Sequence, residues 1–396
     1  ARLIWESDLG LVSQIELLYG YVRFRVPNKD MRGNAVIGVY DEDGNVLWSW
    51  HIWITDSLEE MARTVSTDGA GTITLLDRNL GATEGRWIDE SDALDTYGLY
   101  YQWGRKDPSM GPATWNYRMK SLVTSTYYDF SLEPKNAAEV KKIDRPTLKD
   151  GVENPMYLIL PNSQTNNYYF NWMYDDMDFL WGSIEGSDKI HKTIYDPCPF
   201  GYRVPLDEIE TLLGSVSVDM QTYGWKVGSG DNAVYFPYTG YKGVDRGLNS
   251  VVCSWSYVGE KADYQSADCY NKSTGTWYRH RGRAYISSEW SWNETNVGTY
   301  TGYLNVDYTN RRTAAPVRCV KDEDIGSLSA DISVSEPVIM PDKEFTVSWT
   351  VNSSGSDITE VAVNAVFSRG GVTESRPVWN SADNPGVSLG VLHQHS

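Results

Sequence analysis

Tyr195-Asp196-Pro197-Cys198-Pro199-Phe200-Gly201-Tyr202-Arg203-Val204-Pro205-Leu206-Asp207-Glu208-Ile209-Glu210-Thr211-Leu212-Leu213-Gly214 carries the one clear helix start in the chain. Pro205 and the acids after it suit a helix N-terminus, Ile209, Leu212 and Leu213 make one apolar face, and Gly214 ends it. Nearly everything around this segment reads as strand or loop. A single good helix in a strand-rich chain predicts an α+β class.

Toward the N-terminus, residues 1–57 read as β-sandwich strands. Tyr21 to Val26 alternates, and the runs Asn34 to Tyr40 and Val46 to Thr55 flank Asp41-Glu42-Asp43-Gly44-Asn45, whose Asp-Gly is a hairpin signal. The same five residues resemble the opening of a calcium loop, but the glycine is misplaced and the terminal Glu is missing, so a turn is expected. Residues 58–324 form the middle region, with a long polar-aromatic stretch between Lys106 and Tyr195 whose aromatic density argues for order. After the hinge Lys321-Asp322-Glu323-Asp324, residues 325–396 alternate in the manner of an Ig-like sandwich. Both flanking segments are short for a complete sandwich.

Lys+Arg 35 against Asp+Glu 53 gives a formal net charge of −18 over 396 residues. A polyanion is held by a basic field, so no nucleic-acid partner is expected. The longest apolar run, Val46 to Ile54, is broken by Ser49 and His51 and is about half the length that a membrane helix needs, so no transmembrane segment is expected. The first residues show no leader-peptide pattern, which reads as a mature chain or an excised piece. Trp 16, Tyr 27 and Phe 8 weight the aromatics toward the two types with a polar tip, which suit half-wet recognition faces.

The four cysteines, Cys198, Cys253, Cys269 and Cys319, contain no CxxC and allow three pairings. An even count in such a chain reads as two structural disulfides and an oxidising compartment.

Five motifs in the middle region carry a resemblance. They are Leu76-Asp77-Arg78-Asn79-Leu80-Gly81-Ala82, Gly98-Leu99-Tyr100-Tyr101-Gln102-Trp103-Gly104-Arg105-Lys106-Asp107-Pro108, the Tyr195 to Pro205 stretch, Phe236-Pro237-Tyr238-Thr239-Gly240-Tyr241 and Val317-Arg318-Cys319-Val320-Lys321-Asp322. Together, and in this order, they resemble the Fibrobacter succinogenes major paralogous domain, a branch of the C-type-lectin-like fold frequent in surface lipoproteins and fimbrillin-like proteins of gut Bacteroidales. The resemblance covers roughly residues 33–324 and implies a C-type-lectin-like domain flanked by all-β segments. It implies the pairing Cys198–Cys319, first helix to last strand, which leaves Cys253 with Cys269. Residues from about 245 to 283 then read as an insertion particular to this chain.

Calcium-dependent sugar binding in such domains uses Glu-Pro-Asn or Gln-Pro-Asp with Trp-Asn-Asp, because carboxylate and amide oxygens hold the ion and two hydroxyls together. Neither pattern is present; Glu133-Pro134-Lys135 puts a cation where the amide belongs. No metal site and no cofactor are therefore expected, with calcium kept as the lesser alternative. Sugar is also held without metal, by an aromatic face on the pyranose ring and polar groups on its hydroxyls. Trp255, Tyr257, Asp263, Tyr264 and Asp268 lie between Cys253 and Cys269, with Trp290, Trp292 and Asn293 beyond, and this reads as the densest wettable aromatic cluster on a predicted loop. These are the candidate ligand-binding residues.

No GxSxG, HExxH, P-loop or GxGxxG occurs, and the five histidines are scattered, so no catalytic residues are assigned and no enzyme is expected. The resulting expectation is a non-enzymatic adhesin, extracellular or attached to the outer-membrane surface, whose partner is a glycan or a host surface protein. The alternative is a structural fimbrial subunit assembled with other subunits by strand complementation. A surface glycan hydrolase is third.

Overall fold

In the computed structural model, side chains are described for residues 1–18, 21–66, 71–86, 95–109, 140–162, 171–174, 177, 179–182, 192–205, 226–237, 239 and 311–323. For residues 67, 127–128, 134–135, 216–219, 224–225, 241–244, 253–256, 264–269, 281–287, 305–310, 328–334, 347–353, 362–369, 372–380 and 392–395 the strand backbone is described. The chain divides into two compact units, Ala1–Leu17 with Val22–Lys321, and Leu18–Tyr21 with Asp322–Ser396.

The first unit opens with a three-stranded antiparallel sheet of β1 (Arg2–Glu6), β4 (Gly33–Tyr40) and β5 (Val46–Ile54), in the order β1-β4-β5. β4 and β5 are joined at Asp41 to Asn45, where Gly44 N–H donates to the Asp41 carbonyl (3.2 Å) and Asn45 N–H to the Asp41 carboxylate (2.7 Å). Gly44 has φ +85°, so these residues form the expected turn.

Both faces of this sheet are used, as the period-2 pattern of β5 requires. Ile52 and Ile54 pack with Leu3 and Ala35 under the hairpin of β2 (Ser13–Leu18) and β3 (Tyr21–Arg25), which supplies Ile15 and Phe24. On the other face Trp5 and Val36 join one core with Met61, Leu76, Tyr101, Trp103, Trp172 and Trp181. Residues 1–57 thus share a core with the middle region. Trp172, from the polar-aromatic stretch, is fully buried and donates from Nε1 to the Trp103 carbonyl (2.8 Å).

Beyond β5, Ser57 and Glu60 form a reciprocal capping box on the single turn α1 (Leu58–Met61). β6 (Ala62–Thr67) and β7 (Gly71–Leu76) follow and belong to a sheet with Tyr202–Arg203 and Val320–Lys321. β8 (Tyr100–Gln102) lies in another four-stranded sheet with Ala314–Pro316, Tyr241–Val244 and Cys253–Ser256. At the approach to β8, Leu99 N–H donates to the Leu80 carbonyl (3.0 Å). Gly98 has φ +72° there, and a Cβ would lie 2.6 Å from that same carbonyl oxygen, so only glycine fits.

A parallel pair, Val140–Ile143 with Leu158–Pro161, encloses the six-residue α2 (Leu148–Glu153). The helix expected after Pro205 lies outside the described residues. The described chain is therefore mostly strand in small sheets, with few and short helices.

In the second unit Leu328–Val334, Val347–Ser353 and Leu392–His395 make one antiparallel sheet, and Ala362–Arg369 pairs with Val372–Asn380. This all-β, hairpin-rich arrangement fits an Ig-like description. Among the described residues no helix is long and apolar enough to cross a membrane.

Candidate functional site

The aromatic-rich segment lies in sequence between Tyr241–Val244 and Ala314–Pro316, and these two strands are neighbours in one sheet, with Lys242 opposite Ala314. Ala314–Pro316 also pairs with β8, whose Tyr100, Tyr101 and Gln102 are all buried. Both ends of the excursion are therefore clamped on a strand pair rooted in the core. A loop closed this way is positioned by its stem whatever its own conformation.

The return strand is fixed by a polar lattice. Arg318, fully buried, donates from Nε and Nη2 to the Asn79 side-chain oxygen (3.1 and 2.7 Å) and from Nη2 to the Tyr235 carbonyl (2.8 Å), with its guanidinium 4.3 Å from the Phe236 ring centre. Asn79 in turn donates to the Tyr97 carbonyl (3.1 Å). Leu80 N–H reaches the Val317 carbonyl (2.9 Å) and Leu76 N–H the Cys319 carbonyl (3.0 Å). Cys319 is disulfide-bonded to Cys198. Asp196 holds the other end of that bridge by accepting from Cys198 N–H (2.8 Å), Val204 N–H (2.9 Å) and Lys192 Nζ (2.7 Å). Burial pushes the Asp196 carboxyl up, and Lys192 opposes it.

Of the candidate ligand-binding residues, Trp255 falls on Cys253–Ser256, opposite Lys242 at the sheet edge. Tyr264 and Asp268 fall on Tyr264–Cys269, with Tyr264 opposite Tyr285 in the sheet Tyr264–Cys269, Arg281–Ser287, Asn305–Asn310. These strands place Trp255 in one sheet and Tyr264 and Asp268 in another. Tyr257, Asp263, Trp290, Trp292 and Asn293 lie outside the described residues. Cys253 and Cys269 sit on the same two strands, and their side chains are likewise outside the description.

A second polar cluster, unforeseen in the sequence, locks β5 onto the core. Lys106 Nζ donates to both Asp107 carboxylate oxygens (2.8 and 2.7 Å), to Ser49 Oγ (2.6 Å) and to the Ser49 carbonyl (2.9 Å). Ser49 Oγ donates to Asp107 (2.6 Å), and the Trp48 ring lies 4.4 Å from the ammonium. All three polar residues are buried. Burial pulls the Lys106 ammonium down, and Asp107 opposes that. Capping a main-chain carbonyl on an edge strand with a buried cation also blocks that edge. The only local signal was charge set among aromatic residues in Gln102-Trp103-Gly104-Arg105-Lys106-Asp107.

Next along β5, His51 lies between Asn34 and Tyr101. The Asn34 amide nitrogen donates to the Gly81 carbonyl (2.7 Å), so its oxygen accepts from His51 Nε2–H (2.9 Å), and His51 Nδ1 accepts from the Tyr101 hydroxyl (3.0 Å). Both ring nitrogens are occupied, and burial lowers the pKa to about 3. This histidine is a neutral strut.

Its effect on stability has a definite sign. The unfolded chain takes up a proton near pH 6.5 and the folded one only near 3, so stability is constant above that window and falls as pH drops through it. The loss is on the order of 3 kcal/mol after allowance for the residual solvent contact of the ring. Urea midpoints between pH 7 and 4 should fall less steeply in His51→Gln than in the parent protein; parallel slopes would exclude the assignment.

Comparison with protein-family models, with curated proteins and with solved structures finds no match.

Proposed function

We propose that this is a non-enzymatic binding protein of the cell surface, in which a C-type-lectin-like body presents an aromatic-rich excursion to a glycan. The observation that carries the reading is the stem: the two ends of the excursion are adjacent strands of a sheet rooted in the core. Tyr and Trp on a segment held by such a stem give flat stacking faces for sugar rings without the entropy of positioning the whole loop. Cys198–Cys319 is the pairing that a lectin-like body calls for, and a disulfide fits an extracellular or outer-membrane-surface location.

A glycan array probed with the whole protein tests this. Binding should survive chelation, because the reading uses no metal, and should fall about tenfold or more in Trp255→Ala, the cost of losing one stacking face. A blank array from folded protein would remove the proposal.

The second reading, a fimbrial subunit completed by a neighbour's strand, draws on the pair Ala362–Arg369 and Val372–Asn380, which among the described residues no third strand joins. Polymerisation of the isolated protein, or a gain in stability with an added peptide strand, would favour assembly as the main task.

A further inference from the structure

Against the acidic balance of the chain, one described strand and the turn after it carry a local excess of cations. Between residues 140 and 149 lie Lys141, Lys142, Arg145 and Lys149 against the single acid Asp144, in a protein whose formal net charge is −18. Lys141, Lys142 and Arg145 are all exposed. Among the described residues none of the three has an ion-pair partner, although carboxylates outnumber cations 53 to 35. Lys149, with its side chain 80% exposed, reaches Glu153 of its own helix at 3.3 Å.

Two of these cations stand beside tyrosine rings. The Arg145 guanidinium stands 4.9 Å from the ring centre of Tyr174, which is 44% exposed, and Lys141 Nζ is 5.7 Å from the ring centre of Tyr157. Tyr174 is held there by its N–H, which donates to the Pro146 carbonyl (2.6 Å).

The backbone at Arg145 has φ +53°, a left-handed conformation that an arginine adopts at a cost and that a following proline disfavours further. Lysines on an exposed strand have a plain use in blocking edge pairing. That use does not account for a strained arginine held over an exposed tyrosine. Strain of this kind is kept where a side chain must be aimed.

The geometry points to an acidic-carbohydrate site on this face: a sulfated or uronate-bearing glycan whose anionic groups meet Lys141, Lys142 and Arg145 while a ring lies along Tyr174. Charge complementarity selects the anion, and the flat hydroxyl-tipped ring selects sugar over an acidic peptide. None of the residues of this face belongs to the segment 245–313.

The test is binding of dextran sulfate and of polygalacturonate to the whole protein, with neutral dextran and poly-glutamate as comparisons. The sulfated or the carboxylated glycan should bind and weaken with added salt, and neither comparison polymer should bind comparably. Lys141→Ser/Lys142→Ser should weaken binding about tenfold. Arg145→Gly should weaken it to a similar degree while thermal stability stays equal or rises, because glycine adopts φ +53° freely. Arg23→Ser/Arg25→Ser, on the exposed face of β3, should leave it unchanged. Failure of both acidic glycans to bind, equal binding by poly-glutamate, or undiminished binding by Arg145→Gly would overturn the site. Retention of acidic-glycan binding in Trp255→Ala separates this face from the excursion.

Discussion

Replacing Cys198 and Cys319 together by alanine is expected to cost about 5 kcal/mol of stability, by the chain entropy released when a loop of this length is opened. The bridge spans a sequence separation of 121 residues. Its native surroundings do not depend on the bond. Tyr202–Arg203 pairs with Val320–Lys321 immediately beyond the two cysteines, and Asp196 and Leu76 hold the backbone on either side. The loss should therefore act on the unfolded chain, leaving native spectra unchanged while the melting temperature falls on the order of 10 °C. Urea titration of the oxidised parent protein and of the double variant provides the check. A loss below about 1 kcal/mol would mean that the unfolded chain already keeps these segments together.

Asp107→Ala is the second large expectation, with a loss of about 3–5 kcal/mol. It leaves the Lys106 ammonium buried, 8% exposed, with Ser49 and the Trp48 ring as its neighbours. Most of that cost is an uncompensated charge rather than the worth of the pair. Lys106→Met combined with Asp107→Leu should accordingly recover to within about 1–2 kcal/mol of the parent protein. A double variant no better than Asp107→Ala would show instead that Ser49 and Trp48 need the ion pair to fix the edge of β5.

These two sites differ in how far the sequence revealed them. The turn at Asp41 to Asn45 and the alternation of β5 are local, and Asp-Gly chemistry and period-2 patterning are enough to predict them. The Cys198–Cys319 pairing came through resemblance, since four cysteines by themselves leave three arrangements. Lys106-Asp107 reads locally as surface charge. Its burial depends on Ser49, 57 residues away from Lys106, and the Arg318 lattice on Asn79, 239 residues away. Hydrogen bonds across such distances leave no periodic trace.

The basic strip at 140–149 was visible residue by residue, but a net charge summed over the whole chain conceals it. The aromatic cluster was legible as composition. Its stem was not, because nothing in Lys242 or Ala314 announces that they pair.

The stem is the claim on which the functional account turns. The most direct measurement replaces residues 247–309 by a short Gly/Ser turn and compares the shortened protein with the parent in cooperative unfolding and on a neutral-glycan array. The account predicts that the Cys198–Cys319 bridge and a single unfolding transition remain while neutral-glycan signals vanish. Signals that persist without the excursion, or loss of the transition itself, would contradict it.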